Sequence, residues 1–409
     1  MISIDEALVL VLDGLAPLGP ERVPLAEAAG RVAAEPARSA VDLPPFDRSA
    51  MDGYAVRAAD TAPGVPLRLA AGVAAGEVAS ATLEPGMAAP VSTGAAIPPG
   101  ADTILQSELA VERDGTVAPE RALEPGTHVR IRGEDLHSGD ELAPAGSVLT
   151  LPRISALASA GVGDVAVHRR PRLDLIVTGS ELLPLGAPPE PGRIHESNGL
   201  MVRLLAARAG AEVVDHGVIG DDRDATLEAV ERGLAADVLV VSGGVSVGPH
   251  DHVKPVFEAC GVEEVLWRVR IKPGKPMWAG RRATSTTPPS SGTGRDTLVF
   301  GLPGNPLSSI VCFCVFIEPA LRRLQGERGA APRLVPGRLA APAEPSDGRT
   351  TFLTARIAPG EDGVLEATPT ERQGSHMTGA LGESDGFAVA PHGSPGLAAG
   401  DPVDLLLLD

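Results

Sequence analysis

The run Asp237-Val-Leu-Val-Val-Ser-Gly-Gly-Val-Ser-Val-Gly-Pro-His-Asp251 constrains the fold more than any other stretch. Val238 to Val241 is continuously apolar, the pattern of a strand covered on both faces within a parallel sheet. Gly243, Gly244 and Gly248 come directly after it. Glycines at the carboxyl end of such a strand let backbone N–H groups turn toward one point and form an anion site. Ser242 and Ser246 add hydroxyls and Asp251 a carboxylate, so the loop offers donors for a phosphate and an oxygen ligand for a divalent cation. A tight strand-to-helix turn explains the same glycines without a ligand.

The flanking sequence repeats the pattern of strand, loop and helix. Leu173 to Val177 reads as a strand ending in Thr178-Gly-Ser-Glu181. Asn198 is placed to cap a helix that runs to Arg208 and stops at Gly210, and Glu212 to Ile219 is the next strand. Asp222 to Leu234 puts Leu227, Val230 and Leu234 on one helical face. Alternation of this kind from Leu173 to about Gln325 predicts a parallel sheet with helices on both sides, whose ligands bind beyond the strands' carboxyl ends. Lys272-Pro-Gly-Lys-Pro276 holds two ammonium groups on a stiff turn, which suits an anion clamp or a solvated turn equally. Gly301-Leu-Pro-Gly-Asn-Pro306 follows a Leu298 to Phe300 strand. There Asn305 suits an N-cap and Pro306 the first helical position, predicting a long helix to Leu324 whose N-terminus faces an anion or is simply capped. Arg281 to Thr297, rich in Ser, Thr, Pro and Gly, reads as a mobile hairpin tip without chemistry.

The rest of the chain divides around this region. Ser3 to Leu15 reads as a helix with Ser3 and Glu6 spaced as a capping box and Leu8, Val11, Leu12 and Leu15 on one face. Leu151 to Ala160 is a second helix, too short to stand alone and expected beside the first. From Met51 to about Pro144 lie short β-like runs: Tyr54 to Val56, Pro66 to Leu69, Thr103 to Gln106 and His128 to Ile131. After Gln325 come Thr351 to Ile357, Val364 to Thr368, Phe387 to Ala390 and Val403 to Leu408, the pattern of a small all-β domain, read as a barrel. The expected division is therefore 1–30 with 145–170 as a discontinuous linker domain, 31–144 as a β-rich insertion, 171–328 as the α/β domain and 329–409 as the barrel. A chain of 409 residues accommodates two to four domains, at roughly 100 to 200 residues each.

Composition excludes several function classes. Hydrophobic residues make up 43% but aromatics only 2%, so Ala, Val and Leu must do the packing. A formal charge of −18 argues against a nucleic-acid or anionic-membrane binder, which needs a broad basic surface. A small anion feels only its local field, within about 8 Å at physiological salt. Asp5 and Glu6 near the N-terminus are unlike a signal peptide. The longest apolar run, Ile310 to Ile317, is far short of the ~18 residues that span a bilayer. Cys260, Cys312 and Cys314 show no Cys-x-x-Cys spacing, which fits a reduced cytoplasm without structural zinc. His250 and His252 flank Asp251 with no third nitrogen or sulfur ligand at a typical spacing.

Seven motifs in order then carry a resemblance: Pro44-Pro-Phe-Asp-Arg-Ser-Ala-Met-Asp-Gly-Tyr-Ala55, Gly133-Glu-Asp135, Thr178-Gly-Ser-Glu181, Ser242-Gly-Gly-Val-Ser-Val-Gly248, Lys272-Pro-Gly-Lys-Pro276, Leu302-Pro-Gly-Asn-Pro306 and Gln373-Gly-Ser-His376. Over nearly the whole chain they resemble the molybdopterin molybdenumtransferases, the MoeA proteins related to the E domain of gephyrin. The resemblance implies an α/β multidomain fold: a parallel-sheet molybdopterin-binding domain, a β-rich inserted domain, a small discontinuous helical linker domain and a C-terminal β-barrel. It further implies a cytoplasmic, elongated homodimer whose cleft lies between the sheet domain of one subunit and the β-rich domain of the other. The implied reaction takes adenylylated molybdopterin, inserts molybdate into its dithiolene and releases AMP with the help of Mg²⁺.

Carried over residue by residue, the family's cation ligands fall on Asp221 and Asp251, with Glu181 nearby. Lys272, Lys275, Arg356 and Ser375 match molybdate-contacting positions, and Pro303 and Pro306 shape the pterin side. Ser242, Gly243, Gly244, Ser246 and Asn305 belong to the phosphate-facing loops, and Arg268 keeps a charge where Lys is common. Asp52, Thr93 and Asp135 would reach in from the partner subunit. Ser180 stands where many members carry Asp, and Ile194-His-Glu-Ser-Asn198 replaces Ile-Tyr-Asp-Ser-Asn. Molybdopterin adenylyltransferase and apo-molybdoenzymes are the implied transient partners. Two alternatives stand beside this. The adenylyltransferase of the preceding step shares the sheet domain but lacks the other three domains, so Met51 to Tyr54 and Ser375 discriminate against it. A non-catalytic carrier or scaffold would not need Lys272, Lys275, Asp221 and Asp251 together.

Overall fold

The structure, a computed structural model, describes residues 1–79, 81–245, 252–283, 296–345, 348–394 and 396–408. Ser246, Gly248, Asp251 and most of the Arg281 to Thr297 stretch therefore lie outside the described residues. The chain forms two compact units, one of Met1–Glu21, Gly30–Val32 and His168–Asp409, the other of Arg22–Ala29 and Ala33–Val167. Among the described residues no helix is long and apolar enough to cross a membrane.

The first unit begins with α1 (Ile4–Leu12). The Ser3 hydroxyl accepts from the Glu6 N–H at 3.1 Å while the Glu6 carboxylate accepts from the Ser3 N–H at 2.7 Å, completing the expected capping box. The backbone donor of Ser3 holds the Glu6 carboxyl below its ordinary pKa. The helix ends at Leu12 because Asp13 leaves the helical region, at ψ 136°. Its last carbonyls are closed by Arg281, whose guanidinium donates to Val11 O at 2.9 Å, to Leu10 O at 3.3 Å and to Asp13 O. A cation there also complements the helix dipole. Arg281→Ala is expected to destabilise the docking of α1 by about 1.5–3 kcal/mol, read as selective loss of amide-exchange protection over residues 4–13.

The central sheet is built by β1 (Arg172–Thr178), α2 (Asn198–Arg208), β2 (Glu212–Ile219), α3 (Arg223–Gly233), β3 (Val238–Ser242), α4 (Val253–Ala259), β4 (Glu263–Trp267), β5 (Trp278–Arg282) and β6 (Thr297–Leu302). The strand order is β2-β1-β3-β6-β5-β4, the first four parallel and the last two antiparallel. Alternate side chains feed two cores. Leu173, Leu175, Val238, Val240, Leu298 and Phe300 join the core that contains α1 and α2. Ile176, Leu239, Val241 and Val299 join the one that contains α3 and α4. Every residue of β3 is buried, as its apolar run predicts.

After β6 a continuous helical segment runs from α5 (Pro306–Cys312) through a π-helical turn, Phe313–Ile317, to α6 (Glu318–Leu324). Pro319 accounts for the turn: it has no N–H and its ring crowds the carbonyl four residues back, so the backbone widens to accommodate it.

The barrel follows, with β7 (Leu334–Leu339), β8 (Thr350–Pro359), β9 (Leu365–Pro369), β10 (Gly386–Ala390) and β11 (Pro402–Leu407). They pair in the order β8-β9-β7-β11-β10, and β10 pairs back onto β8 to close the cylinder. The expected β-barrel is present. Its strand β7 went unpredicted because Pro336 and Gly337 break the strand pattern at its centre. A two-residue strand, Ile271–Lys272, pairs parallel with Thr350–Thr351 of β8 and seats the lysine turn on the barrel.

In the second unit, the helix Leu151–Ser159 packs with Leu25, Ala143, Leu149 and Val165. A six-stranded sheet runs in the order Thr103–Gln106, Gly53–Val56, Met87–Val91, Leu67–Leu69, Thr116–Pro119, Ala110–Arg113. The two helices expected side by side therefore serve different cores. Ala7 and Val11 of α1 belong with Leu321 and Leu324, and Leu18 N–H donates to Leu324 O at 2.7 Å. Periodicity marks an apolar face but does not name what covers it.

Candidate functional site

A cavity of about 420 Å³ opens at the carboxyl ends of β1, β3 and β6. On one side is the glycine turn after β3. Gly243 has φ 100° and Gly244 φ 64°. A methyl at Gly243 would stand 2.7 Å from Thr178 O, and one at Gly244 2.6 Å from a Val253 methyl. Only glycine fits both the dihedrals and the space. Ser242 is 1% exposed and its hydroxyl has no partner among the described residues; the buried Oδ1 of Asn198, which also lines the cavity, has none either. Buried polar atoms are ordinarily hydrogen-bonded, so two orphans in one cavity mark a place for a polar ligand.

Three carboxylates also line the cavity, Asp221, Glu181 and Glu196, the last accepting from the Gly199 N–H at 2.6 Å. Asp222 caps α3 by accepting from the Ala225 N–H at 2.8 Å, which leaves its neighbour Asp221 at the cavity wall. Asp221 is fixed by a reciprocal pair with Ser180: its N–H donates to the Ser180 hydroxyl at 2.8 Å and its carboxylate accepts from the Ser180 N–H at 3.1 Å. Thus the serine in place of the more usual aspartate orients the carboxylate beside it. Glu181 lines the same cavity. Among the described residues no three His, Cys, Asp or Glu side chains converge as a metal set. Asp251 lies outside them.

The Pro303–Asn305 turn closes the cavity and is held from both sides. Asn198 was expected as an N-cap; instead Ser197 occupies that position, and the Asn198 amide donates to Gly304 O at 2.8 Å. Asn305 does occupy the N-cap position of α5, but its side chain makes no capping bond and donates to the Ser375 hydroxyl at 3.2 Å. Both asparagines thus serve the site rather than their own helices. Ser309 Oγ donates to Pro303 O at 2.7 Å.

Beyond the turn lies a second cavity, of about 770 Å³, lined by Lys272, Lys275, Pro303, Asn305 and Ser375. It shares Pro276, Pro303 and Asn305 with the first. The lysine turn is rigid: Val269 N–H donates to Lys275 O at 3.2 Å and Met277 N–H to Gly274 O at 3.0 Å. Behind it, a methyl at Gly274 would meet the buried Cys312 sulfur at 2.6 Å. Burial pushes the Cys312 thiol far above its ordinary pKa, so it is a packing group and not a nucleophile. Neither lysine ammonium has a partner among the described residues. Two lysines on a fixed turn, in a cavity that Glu344 and Glu371 also line, are groups of the kind that bind oxyanions.

Two expected ligand-contacting arginines are elsewhere. Arg268, in the left-handed region at φ 68°, stacks 4.1 Å from the Trp267 ring centroid, with the Lys254 ammonium 3.2 Å from the same centroid. It lines neither cavity, because the indole face holds it. Arg356 donates through Nε to Glu383 O at 3.1 Å and lines a neighbouring cavity of about 520 Å³ that shares Pro369, Thr370 and Glu371 with the lysine cavity. Pro306 lines the glycine cavity. In the second unit, Asp52 accepts from Thr93 through both its N–H, at 2.7 Å, and its hydroxyl, at 3.1 Å. Asp135 is exposed, its N–H bonded to Leu43 O at 2.9 Å. Sequence reasoning missed Ser308, Arg349, Thr351 and Gln373, which also line the lysine cavity. Gln373 was within reach, in the same motif as Ser375.

Known proteins match this chain over most of its length. Residues 2–161 match the MoeA N-terminal region (domain I and II), residues 174–323 the probable molybdopterin binding domain, and residues 336–408 the MoeA C-terminal region (domain IV). The molybdopterin molybdenumtransferase of Nostoc sp. is 34% identical over 398 residues, covering 95% of this chain and 88% of that protein. The one from Haemophilus influenzae is 32% identical over 409 residues, covering 99% and 98%. A solved structure of the molybdopterin biosynthesis MoeA protein from Pyrococcus horikoshii superposes with a TM-score of 0.81 at 28% identity over all of both chains. A second Pyrococcus MoeA structure gives 0.83 at 32%, over 100% of this chain and 99% of that one. The chain belongs to the molybdopterin molybdenumtransferase (MoeA) family.

Proposed function

We propose that this protein is a molybdenum insertase: it takes adenylylated molybdopterin, inserts molybdate into the dithiolene and releases AMP, working as a Mg²⁺-dependent cytoplasmic homodimer. The observation that carries the reading is the shared wall. A cavity with two ammonium groups that have no partner among the described residues and a cavity with a glycine turn and three carboxylates meet at Pro276, Pro303 and Asn305. One suits a tetrahedral dianion and the other a phosphate, and both open on one turn.

In this reading the N–H groups around Gly243 and Gly244 bind the phosphates, with the orphaned Ser242 hydroxyl and Asn198 carbonyl oxygen offering further bonds. Lys272 and Lys275 hold molybdate where charge must be neutralised before it meets the dithiolene; fixed cations do this without reorganising. Ser375 supplies a hydroxyl to the same oxyanion. Asp221 and Glu181 are hard oxygen donors that fit Mg²⁺, which retains several waters and needs few protein ligands. When bound, the cation would neutralise phosphate charge and polarise the P–O bond. The partner subunit's Asp52, Thr93 and Asp135 complete the cleft, and adenylyltransferase and apo-molybdoenzymes dock transiently. Full-length likeness, reaching Ser375 in the C-terminal region, favours insertion over the preceding adenylylation step.

The test is anaerobic incubation with adenylylated molybdopterin, Mg²⁺ and molybdate, following AMP release and activation of an apo-molybdoenzyme. Molybdate-dependent release is expected; tight binding without turnover would sink the insertase reading in favour of a carrier. Asp221→Asn is expected to lower release by about 100-fold and to weaken Mn²⁺ binding measured by electron paramagnetic resonance. Unaltered Mn²⁺ binding would remove Asp221 from the cation site.

A further inference from the structure

The loop that carries Ser375 leaves the barrel where β9 ends, and β8 loses a strand neighbour there. The two strands pair from Pro359 opposite Leu365 to Ala355 opposite Pro369. The next residue of β8, Thr354, is fully buried. Its carbonyl still receives the Thr370 N–H at 2.8 Å, but its N–H faces a chain that has already turned away. An unpaired N–H in that position would carry its full desolvation cost.

Gln373 fills the gap. Its Oε1 accepts from the Thr354 N–H at 3.1 Å, and its Nε2 donates to Thr354 O at 3.0 Å and to Thr370 O at 2.8 Å. A primary amide presents one acceptor and one donor on the same edge, as a peptide group does, so the side chain extends the ladder by a rung. Thr354 and Thr370 hydroxyls, 2.6 Å apart, brace the same point. Two residues further on, Ser375 accepts from Asn305 and lines the cavity of Lys272 and Lys275. The path from barrel to oxyanion cavity is thus one amide clamp and one glycine long.

We propose that Gln373 is a positioning residue for the oxyanion: its carboxamide, clamped to both backbone groups of Thr354, sets where Ser375 stands relative to the two lysines. The inference rests on the molybdate reading above. It assigns Gln373 no contact with substrate; the residue acts through Ser375. Its removal therefore weakens selection of the oxyanion and leaves the phosphate cavity unaffected.

Two variants of nearly equal size test it. Gln373→Glu puts a carboxylate oxygen against Thr354 O and Thr370 O, and Gln373→Met removes the hydrogen bonds while keeping the length. In both, half-saturating molybdate for AMP release is expected to rise about tenfold, the worth of one such clamp. KM for adenylylated molybdopterin should stay within about twofold, since that ligand binds across the wall. A rise of equal size in both constants would mean general loss of structure and overturn the proposal, as would unchanged molybdate saturation in both variants. Equilibrium dialysis with molybdate alone separates this inference from the functional reading. If the wild type binds molybdate but releases no AMP, the insertase reading fails, and weaker binding by the variants still supports Gln373 while equal binding refutes it.

Discussion

Lys272→Ala and Lys275→Ala are each expected to lower kcat/KM for molybdate by about 10²–10³-fold, with binding of adenylylated molybdopterin retained. The size follows from the two ammonium groups having no partner among the described residues, so their charge is fully available to a ligand. At about 4 Å and an effective dielectric of about 20, each interacts with a unit negative charge by about 4 kcal/mol. Among the described residues no ion pair competes for that energy, and the Val269–Lys275 backbone bond keeps the turn in place when a side chain is removed. Lysine to arginine should restore only part of the loss, because a planar guanidinium does not replace a point charge on a turn this tight. Steady-state AMP release against molybdate concentration decides it. Activity within a few-fold of wild type in both alanine variants would mean that the oxyanion is held elsewhere.

Phe300→Ala is expected to destabilise the first unit by about 3–5 kcal/mol and to lower its thermal midpoint by roughly 10 °C. With aromatics at 2% of the chain, most of the packing falls to Val, Leu and Ala, and the six buried phenylalanines carry a large share of core volume. Phe300 is fully buried on β6, in the same core as Phe313 and Phe316. The cavity left behind would sit three residues before Pro303, so the wall shared by the two cavities should loosen with it. Calorimetry should show the lower midpoint, and AMP release should fall at temperatures where the wild type is still folded. An unchanged midpoint would show that neighbouring side chains collapse into the space.

How far this architecture was legible in the residues depends on how local its causes are. β3 was readable because a buried parallel strand needs an uninterrupted apolar run and its glycine turn needs residues without a side chain; both requirements sit within a few positions. The capping box of Ser3 and Glu6 is equally local. The destination of α1 was not readable. Its apolar stripe is the same whether it meets Leu157 or Leu321, and only the tertiary fold chooses. Asn305 was legible as the N-cap position of its helix and Asn198 missed by one residue, but neither amide serves a helix end: the Pro303–Asn305 turn and Ser375 take them instead. Arg268 was placed at the ligand because it stands where Lys is common in the family, and in the structure its guanidinium lies 4.1 Å from the Trp267 ring centroid. The motifs fall on loops that line the two cavities, whereas the partners of each side chain depend on contacts between segments tens of residues to about a hundred residues apart.

The docking of α1 against α6 carries a consequence for how the protein is made. Leu18 meets Leu324 across roughly three hundred residues, and a ribosome adding about 5–20 residues each second takes roughly 15–60 s to supply that partner. During this interval the first helix has no core to join, while the intervening unit, whose own contacts are closed by Val167, can already fold. Vectorial synthesis therefore separates the two: α1 is made well before the segment it settles against. A nine-residue helix with Val9 and Leu10 exposed even in the native state would wait through that interval as an unpartnered apolar segment.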